Sequence, residues 1–193
     1  MPDKLKLICE RLMLEIEFKK LDLKITREEF RAANNDFNSE LQKYLEILSE
    51  ADRNVVVAKM NNKIHDISRQ SWKQDISPKC SPETRRIFKK IANKTHPDKL
   101  LNEEGEAKEK LLSSYKRAQA AMADDSLFDT MKVAKELGIE YDIDEEKRLL
   151  LQQELSALDS EIGNLKKTLP WQWKRKGAPR KVIKDFVYRF LIE

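Results

Sequence analysis

Apolar positions recur at helical spacing along almost the whole chain, and no stretch alternates with a strand's period of two. Leu7, Leu14, Phe18, Leu21 and Ile25 form one stripe over residues 4–25, widened by Leu5, Ile8 and Leu12. Thr26 followed by Glu29 has the form of a capping box, which predicts a new helix start there. Two heptad series follow: Phe30, Phe37 and Tyr44, interleaved with Leu41, Leu48 and Val55, while Asn34 and Ala51 fill the remaining places. This is the pattern of a coiled-coil seam. Residues 61–80 are mixed and polar and end in "DISPKCSPE", which reads as a linker.

Ser81-Pro82-Glu83 then offers an N-cap, a first helical proline and an acid in the first turn. The helix it opens is expected to bury Thr84, Phe88, Ile91 and Thr95, with Ala92 alongside. Pro97 stops it, because the residue before a proline is pushed out of the helical region. A further helix is predicted from about Asn102 to Ala123, its inner stripe Leu111, Tyr115, Ala118 and Met122 with Leu112 beside it. A shorter one, capped by Asp125 or Ser126, carries Leu127, Phe128, Met131, Ala134 and Leu137 and closes at Gly138. From Asp144 the leucine stripe Leu151, Leu155, Leu158, Ile162, Leu165 and Leu169 marks a long helix ended by Pro170. "WQWKRKGAPRK" reads as a basic, aromatic connector before a last amphipathic helix with Val182, Ile183, Phe186, Val187 and Phe190.

The expected fold is therefore all-α, in four consecutive segments. Residues 1–76 form a coiled-coil region, 77–138 a helical hairpin domain, 139–169 a second coiled-coil helix, and 170–193 a basic aromatic tail. The seams at 30–55 and 151–169 are expected to pack antiparallel within one chain, the hairpin carried between them, so a monomer is favoured over a coiled-coil dimer.

Composition agrees with long helices: 37% of residues are charged, 7% are aromatic, and there are only four glycines, none in the first hundred residues. A net charge of +4 is too modest to predict nucleic-acid binding by itself. Cys9 and Cys80 are too few for a disulfide framework or a zinc site. Neither a membrane span nor a signal peptide is expected, which points to a soluble cytoplasmic protein without metal or cofactor. No phosphate-binding loop is present, and His65 beside Asp66 lacks a nucleophile, so an enzyme is not expected.

The informative stretch is "IANKTHPDKLL", residues 91–101, where His96-Pro97-Asp98 interrupts two helical patterns. The preceding helix carries Arg85, Arg86, Lys89, Lys90 and Lys94 and no acid after Glu83. Cations without acids at i,i+4 form a surface suited to an acidic partner.

These residues resemble the J-domain of the DnaJ/Hsp40 co-chaperones, over roughly residues 80–138. In "RRIFKKIANKTHPDK", Phe88 stands where the family has Tyr, Ile91 where it has Leu, and Ala92 matches its Ala. In "KLLSSYKRAQAAM", Leu112 stands at the family's Phe, Tyr115 at its Ile, Ala118 at its Ala and Met122 at its Leu. Thr95 and Gln119 depart from family aromatics, and no clear copy of the short first helix precedes Ser81. The resemblance implies a divergent J-domain protein that stimulates ATP hydrolysis by an Hsp70. His96, Pro97 and Asp98 would be the triggering loop, Arg85, Lys89 and Lys90 the docking cations, and Arg86 and Lys94 their support.

Outside the hairpin, residues 171–193 carry a surplus of five positive charges. Trp171, Trp173, Phe186 and Phe190 are candidate contacts for a protein client. Nucleic-acid binding by stacking on these aromatics is the less favoured use of the segment. A coiled-coil scaffold in which the turn is incidental is the rival to the co-chaperone reading.

Overall fold

The structure, a computed structural model, describes residues 2–71, 80–100 and 104–192, with the side chains of 2–3 and 62–71 outside the description. The side chains of His65 and Asp66, residues 72–79 of the expected linker and the first residues of the expected Asn102 helix therefore lie outside the described residues, while 61–71, expected to belong to the linker, continue α2. All regular structure that is described is helical: α1 (Pro2–Ile47), α2 (Glu50–Ser71), α3 (Pro82–Thr95), a single 3-10 turn (Pro97–Lys99), α4 (Gly105–Ala123), α5 (Leu127–Glu136), α6 (Glu145–Lys167), α7 (Leu169–Arg175) and α8 (Arg180–Ile192). No described helix is long and apolar enough to cross a membrane.

The chain divides into two compact units, and neither follows the consecutive segments expected from the sequence. The first comprises residues 1–21 and 77–159, the second 22–76 and 160–193.

In the first unit, α3 and α4 form a hairpin closed at its base by Asp125, whose carboxylate accepts a hydrogen bond from the Ser81 amide at 2.8 Å. Asp125 stands at φ 49°. An aspartate tolerates this left-handed conformation better than most side chains. The amides of Asp125 and Ser126 bond back to Met122 and Ala121, which ends α4. Buried Ser114, Ala118 and Ala121 line α4 and let its neighbours approach closely. α5 is capped by Ser126 Oγ, which accepts from the Asp129 amide, and closes at Gly138 with φ +65°. Both ends are as expected.

The fourth wall of this core comes from α1. Cys9, Leu12 and Ile16 pack with Ile87, Ile91, Ala118, Phe128, Met131 and Leu151. Of the expected face, Leu12 and Ile8, named as widening it, pack here, but its main stripe is the other one. Leu7, Leu14, Phe18, Leu21 and Ile25 are 47–68% exposed. At 100° per residue the two stripes lie on opposite sides of the helix, and only one of them can face this core.

In the second unit, Phe37, Leu41 and Leu45 of α1 pack with Val56 of α2, Trp173 of α7 and Ile183, Val187 and Phe190 of α8. Three expectations are corrected here. Thr26 does not begin a helix: α1 runs through it, and its side chain is buried. No proline or glycine lies between Pro2 and Pro78 to break the run. The heptad series is not one helix through Val55, because α1 ends at Ile47 and α2 begins at Glu50. Ser49 Oγ accepts from the Asp52 amide, and the Arg53 guanidinium reaches back to the carbonyls of Leu45 and Glu46. Both ends of the corner are thereby satisfied.

The antiparallel pairing of residues 30–55 with 151–169 is also corrected. Phe37, Leu41 and Leu45, with Tyr44 and Leu48 beside them, pack with residues of α2, α7 and α8. Leu151, Leu155 and Leu158 pack in the first unit with Cys9, Leu12 and Ile16. Cys9 feels the charges of Asp144, Glu145, Lys147 and Arg148 at the start of α6, whereas Lys19 and Lys20 pair with Asp159 and Glu154 further along, so α1 and α6 run parallel there. Finally, Pro170 does not simply end α6. Thr168 takes the N-cap position and Pro170 sits in the first turn of α7, where its missing N–H costs nothing.

Candidate functional site

The His96-Pro97-Asp98 loop is built by the way α3 ends. Thr95 is buried and its hydroxyl donates to the Ile91 carbonyl at 2.9 Å, so this polar side chain is satisfied inside the last turn. The His96 amide still bonds to Ala92, but its backbone is extended, at φ −61° and ψ 135°. That is the conformation a following proline imposes. Residues 97–99 then make one 3-10 turn, closed by Lys99 N to His96 O at 2.9 Å and Leu100 N to Pro97 O at 3.0 Å. Leu100 is buried and pins the far end.

Within the loop, His96 Nδ1 accepts a hydrogen bond from the Asp98 amide at 3.3 Å. In the neutral ring this leaves the proton on Nε2. The ring also stands edge-on to Tyr115 of α4, centroids 5.4 Å apart. The Asp98 carboxylate is 86% exposed. The result is a turn whose backbone is fixed from within and whose carboxylate faces solvent.

All five cations assigned to docking lie on the exposed face of α3, but they are not equivalent. Lys94 Nζ donates to the Leu137 carbonyl at 2.7 Å and Lys90 Nζ to the Glu140 carbonyl at 3.0 Å. Lys94 thus satisfies a terminal carbonyl of α5, where a cation also complements the helix dipole. Arg86 bonds to Glu83 at 3.1 Å. Lys89 makes no ion pair or hydrogen bond among the described residues, and Arg85 lies at the Cys80 end of the helix, hydrogen-bonded to the Cys80 thiol, whose pKa burial and Asp125 hold above its ordinary value despite the guanidinium.

Of the expected hairpin core, Ile91 and Ala118 are fully buried, while Phe88, Ala92, Leu112, Tyr115 and Met122 are half-buried. The stripe on α3 is Thr84, Ile87, Ile91 and Thr95, one residue out of phase with the expectation at its second member. Phe88 instead flanks Tyr115, centroids 6.2 Å apart. Ile87 and Phe88 are adjacent apolar residues, and either phase satisfies a helical repeat.

Beneath this face lies a pairing that the sequence did not suggest, between Glu83, expected only as an acid of the first turn, and Lys147, which had no expected role. Glu83 and Lys147 are buried and form an ion pair at 2.5 Å, with Asp144 beside the same ammonium. Burial pushes the Lys147 pKa down, but hydrogen bonds with Asp144 and Glu83 outweigh it and hold the value above that of an ordinary lysine. A salt bridge between two distant segments leaves no local spacing from which to infer it.

The candidate partner contacts in the tail are corrected. Trp171, Trp173 and Phe190 are buried, and half-buried Phe186 stacks edge-on between Phe37 and Phe190. Trp173 Nε1 donates to the Pro179 carbonyl at 3.2 Å. Trp173 and Phe190 belong to the core of the second unit, with Phe186 packed against it, so these buried rings are not free to stack on a client or a nucleobase. Among the described residues no group of three His, Cys, Asp or Glu side chains is placed to hold a metal.

No protein-family model, curated protein or solved structure matches this chain.

Proposed function

We propose that this protein is a divergent J-domain co-chaperone that binds an Hsp70 through the His96-Pro97-Asp98 turn and the cations of α3, and stimulates its ATP hydrolysis. The observation that carries the reading is the turn itself: a proline-fixed loop with an exposed carboxylate, set at the end of a helix whose outer face is basic. Asp98 offers a fixed acceptor for a cation on the partner, ideally a bidentate arginine. A loop already held in one shape loses less entropy on docking. The cations raise the encounter rate with an acidic surface more than the final affinity.

Lys89 is the principal docking cation in this reading, because Lys90 and Lys94 are engaged with backbone carbonyls, Arg86 with Glu83 and Arg85 with the Cys80 thiol. Cys9, Leu12 and Ile16 of α1 pack against the core of α3, α4 and α5, ahead of which the sequence carries no clear copy of the family's short first helix.

A coiled-coil assembly protein is the second reading, and the exposed stripe on α1 favours it. Single-turnover ATP hydrolysis by the host's Hsp70, with and without this protein, separates the two. The co-chaperone reading expects acceleration that His96→Gln removes while the circular dichroism spectrum is unchanged. An Hsp70 rate indifferent to both proteins leaves the turn as a turn.

A further inference from the structure

The apolar stripe that α1 leaves outside its own core has the spacing of a coiled-coil seam. Leu7, Leu14, Phe18 and Leu21 are 64%, 68%, 67% and 56% exposed, and Ile25 continues the series along the same helix. The intervals are seven, four, three and four, with Arg11 occupying the one place that breaks the first interval. Single exposed leucines need no explanation, whereas a contiguous row of this kind marks an interaction surface.

We propose that this seam pairs with the same seam of a second copy of the chain, the two α1 helices running antiparallel. The register follows from the sequence. Centred between Leu14 and Phe18, an antiparallel pair sets Leu14 against Phe18 of the other copy, Leu7 against Ile25, and Arg11 against Leu21. Arg11 can then lay its aliphatic stem on Leu21 and keep its guanidinium in water. Parallel pairing would instead stack Arg11 on its own copy in the middle of the seam.

The flanking charges favour the same orientation. In the antiparallel register Glu10 faces Lys24 of the other copy, twice by symmetry. In a parallel register Glu10 would face Glu15, and Glu17 would face Asp22, which sets acid against acid. Glu10 and Lys24 are exposed, and neither makes an ion pair among the described residues. Glu15 and Glu17, which antiparallel pairing brings toward their own copies, are already neutralised by Arg11 and Lys132.

The test is sedimentation equilibrium of the full chain over a wide concentration range. The expectation is a reversible monomer–dimer equilibrium. Phe18→Glu should weaken it about thirtyfold or more, the size of a lost interface anchor, without altering the melting curve, because Phe18 is outside the core. Charge reversal then reads the orientation. Glu10→Lys and Lys24→Glu should each weaken the dimer, and the double variant should recover it. If Glu10→Lys tightens the dimer, the helices are parallel and the proposal fails. It also fails if the full chain stays monomeric at the highest concentrations, or if Phe18→Glu dimerises as well as the parent. A chain that stays monomeric alone and forms a complex only with an added heterologous helix overturns the second copy as occupant.

Discussion

Glu83 and Lys147 meet at 2.5 Å with 7% and 3% of their side chains exposed, so the first turn of α3 is bound to α6 by a buried charge pair. Such a pair contributes little over an apolar replacement of both members, but removing one partner strands the other. Lys147→Met should destabilise the first unit by about 3–5 kcal/mol, read as a lower urea midpoint at neutral pH. An unchanged midpoint would mean that Glu83 finds water in the folded chain.

The same cluster fixes a pH dependence. Burial alone would raise the Asp144 pKa, yet hydrogen bonds from the Lys147 side chain and amide hold it below the ordinary value. Its stabilisation is therefore present above the unfolded value of about 3.9 and lost as pH falls through the lower folded value. Lys147 is shifted upward. Its share is complete below about 10.4 and lost as pH rises through the higher folded value. Urea midpoints across pH should show both losses in the parent and lack the alkaline one in Lys147→Met. A parent whose midpoint holds through pH 11 would contradict the assignment.

The α3 cations should separate into two classes. Lys89→Glu should slow Hsp70 coupling, most at low ionic strength where exposed charges are least screened, and leave the melting temperature alone. Lys94→Met should instead remove a cation from the end of α5 and lower stability by about 0.5 kcal/mol, with a smaller effect on coupling. Equal effects of the two on coupling would mean that the internal hydrogen bonds of Lys90 and Lys94 open when the partner docks.

What could be read from the sequence was what is decided locally. Ser81, Ser126 and Gly138 carry cap chemistry within three or four residues of the groups they satisfy, so the ends of α3 and α5 were legible. The His96-Pro97-Asp98 turn was legible for the same reason. The two apolar stripes of α1 were not separable, since periodicity shows that a face is apolar and not which core it will meet. Thr26 and Glu29 carried a capping signal that the continuous helix overrode. Ser49 and Asp52 carried a comparable signal three residues apart, and there it marked a real break. Trp171 and Trp173 were misplaced because their basic neighbours suggested solvent, while Phe37 and Pro179, distant or unremarkable in sequence, supply the ring contact and the hydrogen-bond acceptor.

The two thiols should differ in reactivity. Cys9 is 1% exposed, and burial is the largest cause of its raised pKa. Cys80 is half-buried, raised by burial and then by Asp125. A thiol held protonated and shielded reacts slowly. An aromatic disulfide reagent at pH 8 should therefore modify Cys80 first, and Cys9 only at the rate at which the first unit opens. Cys80→Ser should abolish the faster phase. Two equal fast phases in the parent would show that Cys9 is not held inside the core of the first unit.

The tail should behave as core. Trp173 is 3% exposed, stands edge-on to Phe37 at 5.4 Å, and gives its indole N–H to Pro179. Trp173→Ala removes the largest side chain of the second unit's cluster and should cost about 3–5 kcal/mol. Deleting residues 171–193 goes further, since it strips the cover from Phe37, Leu41, Leu45 and Val56 together. The truncated chain should aggregate or lose many degrees of melting temperature. Trp173→Phe, which keeps the ring but not the donor, should fall between the parent and Trp173→Ala. If the truncated chain melted like the parent, these rings would be a detachable surface segment, and a docking role for them would return. The burial of Trp173, Val187 and Phe190 against α1 and α2 argues for the other outcome.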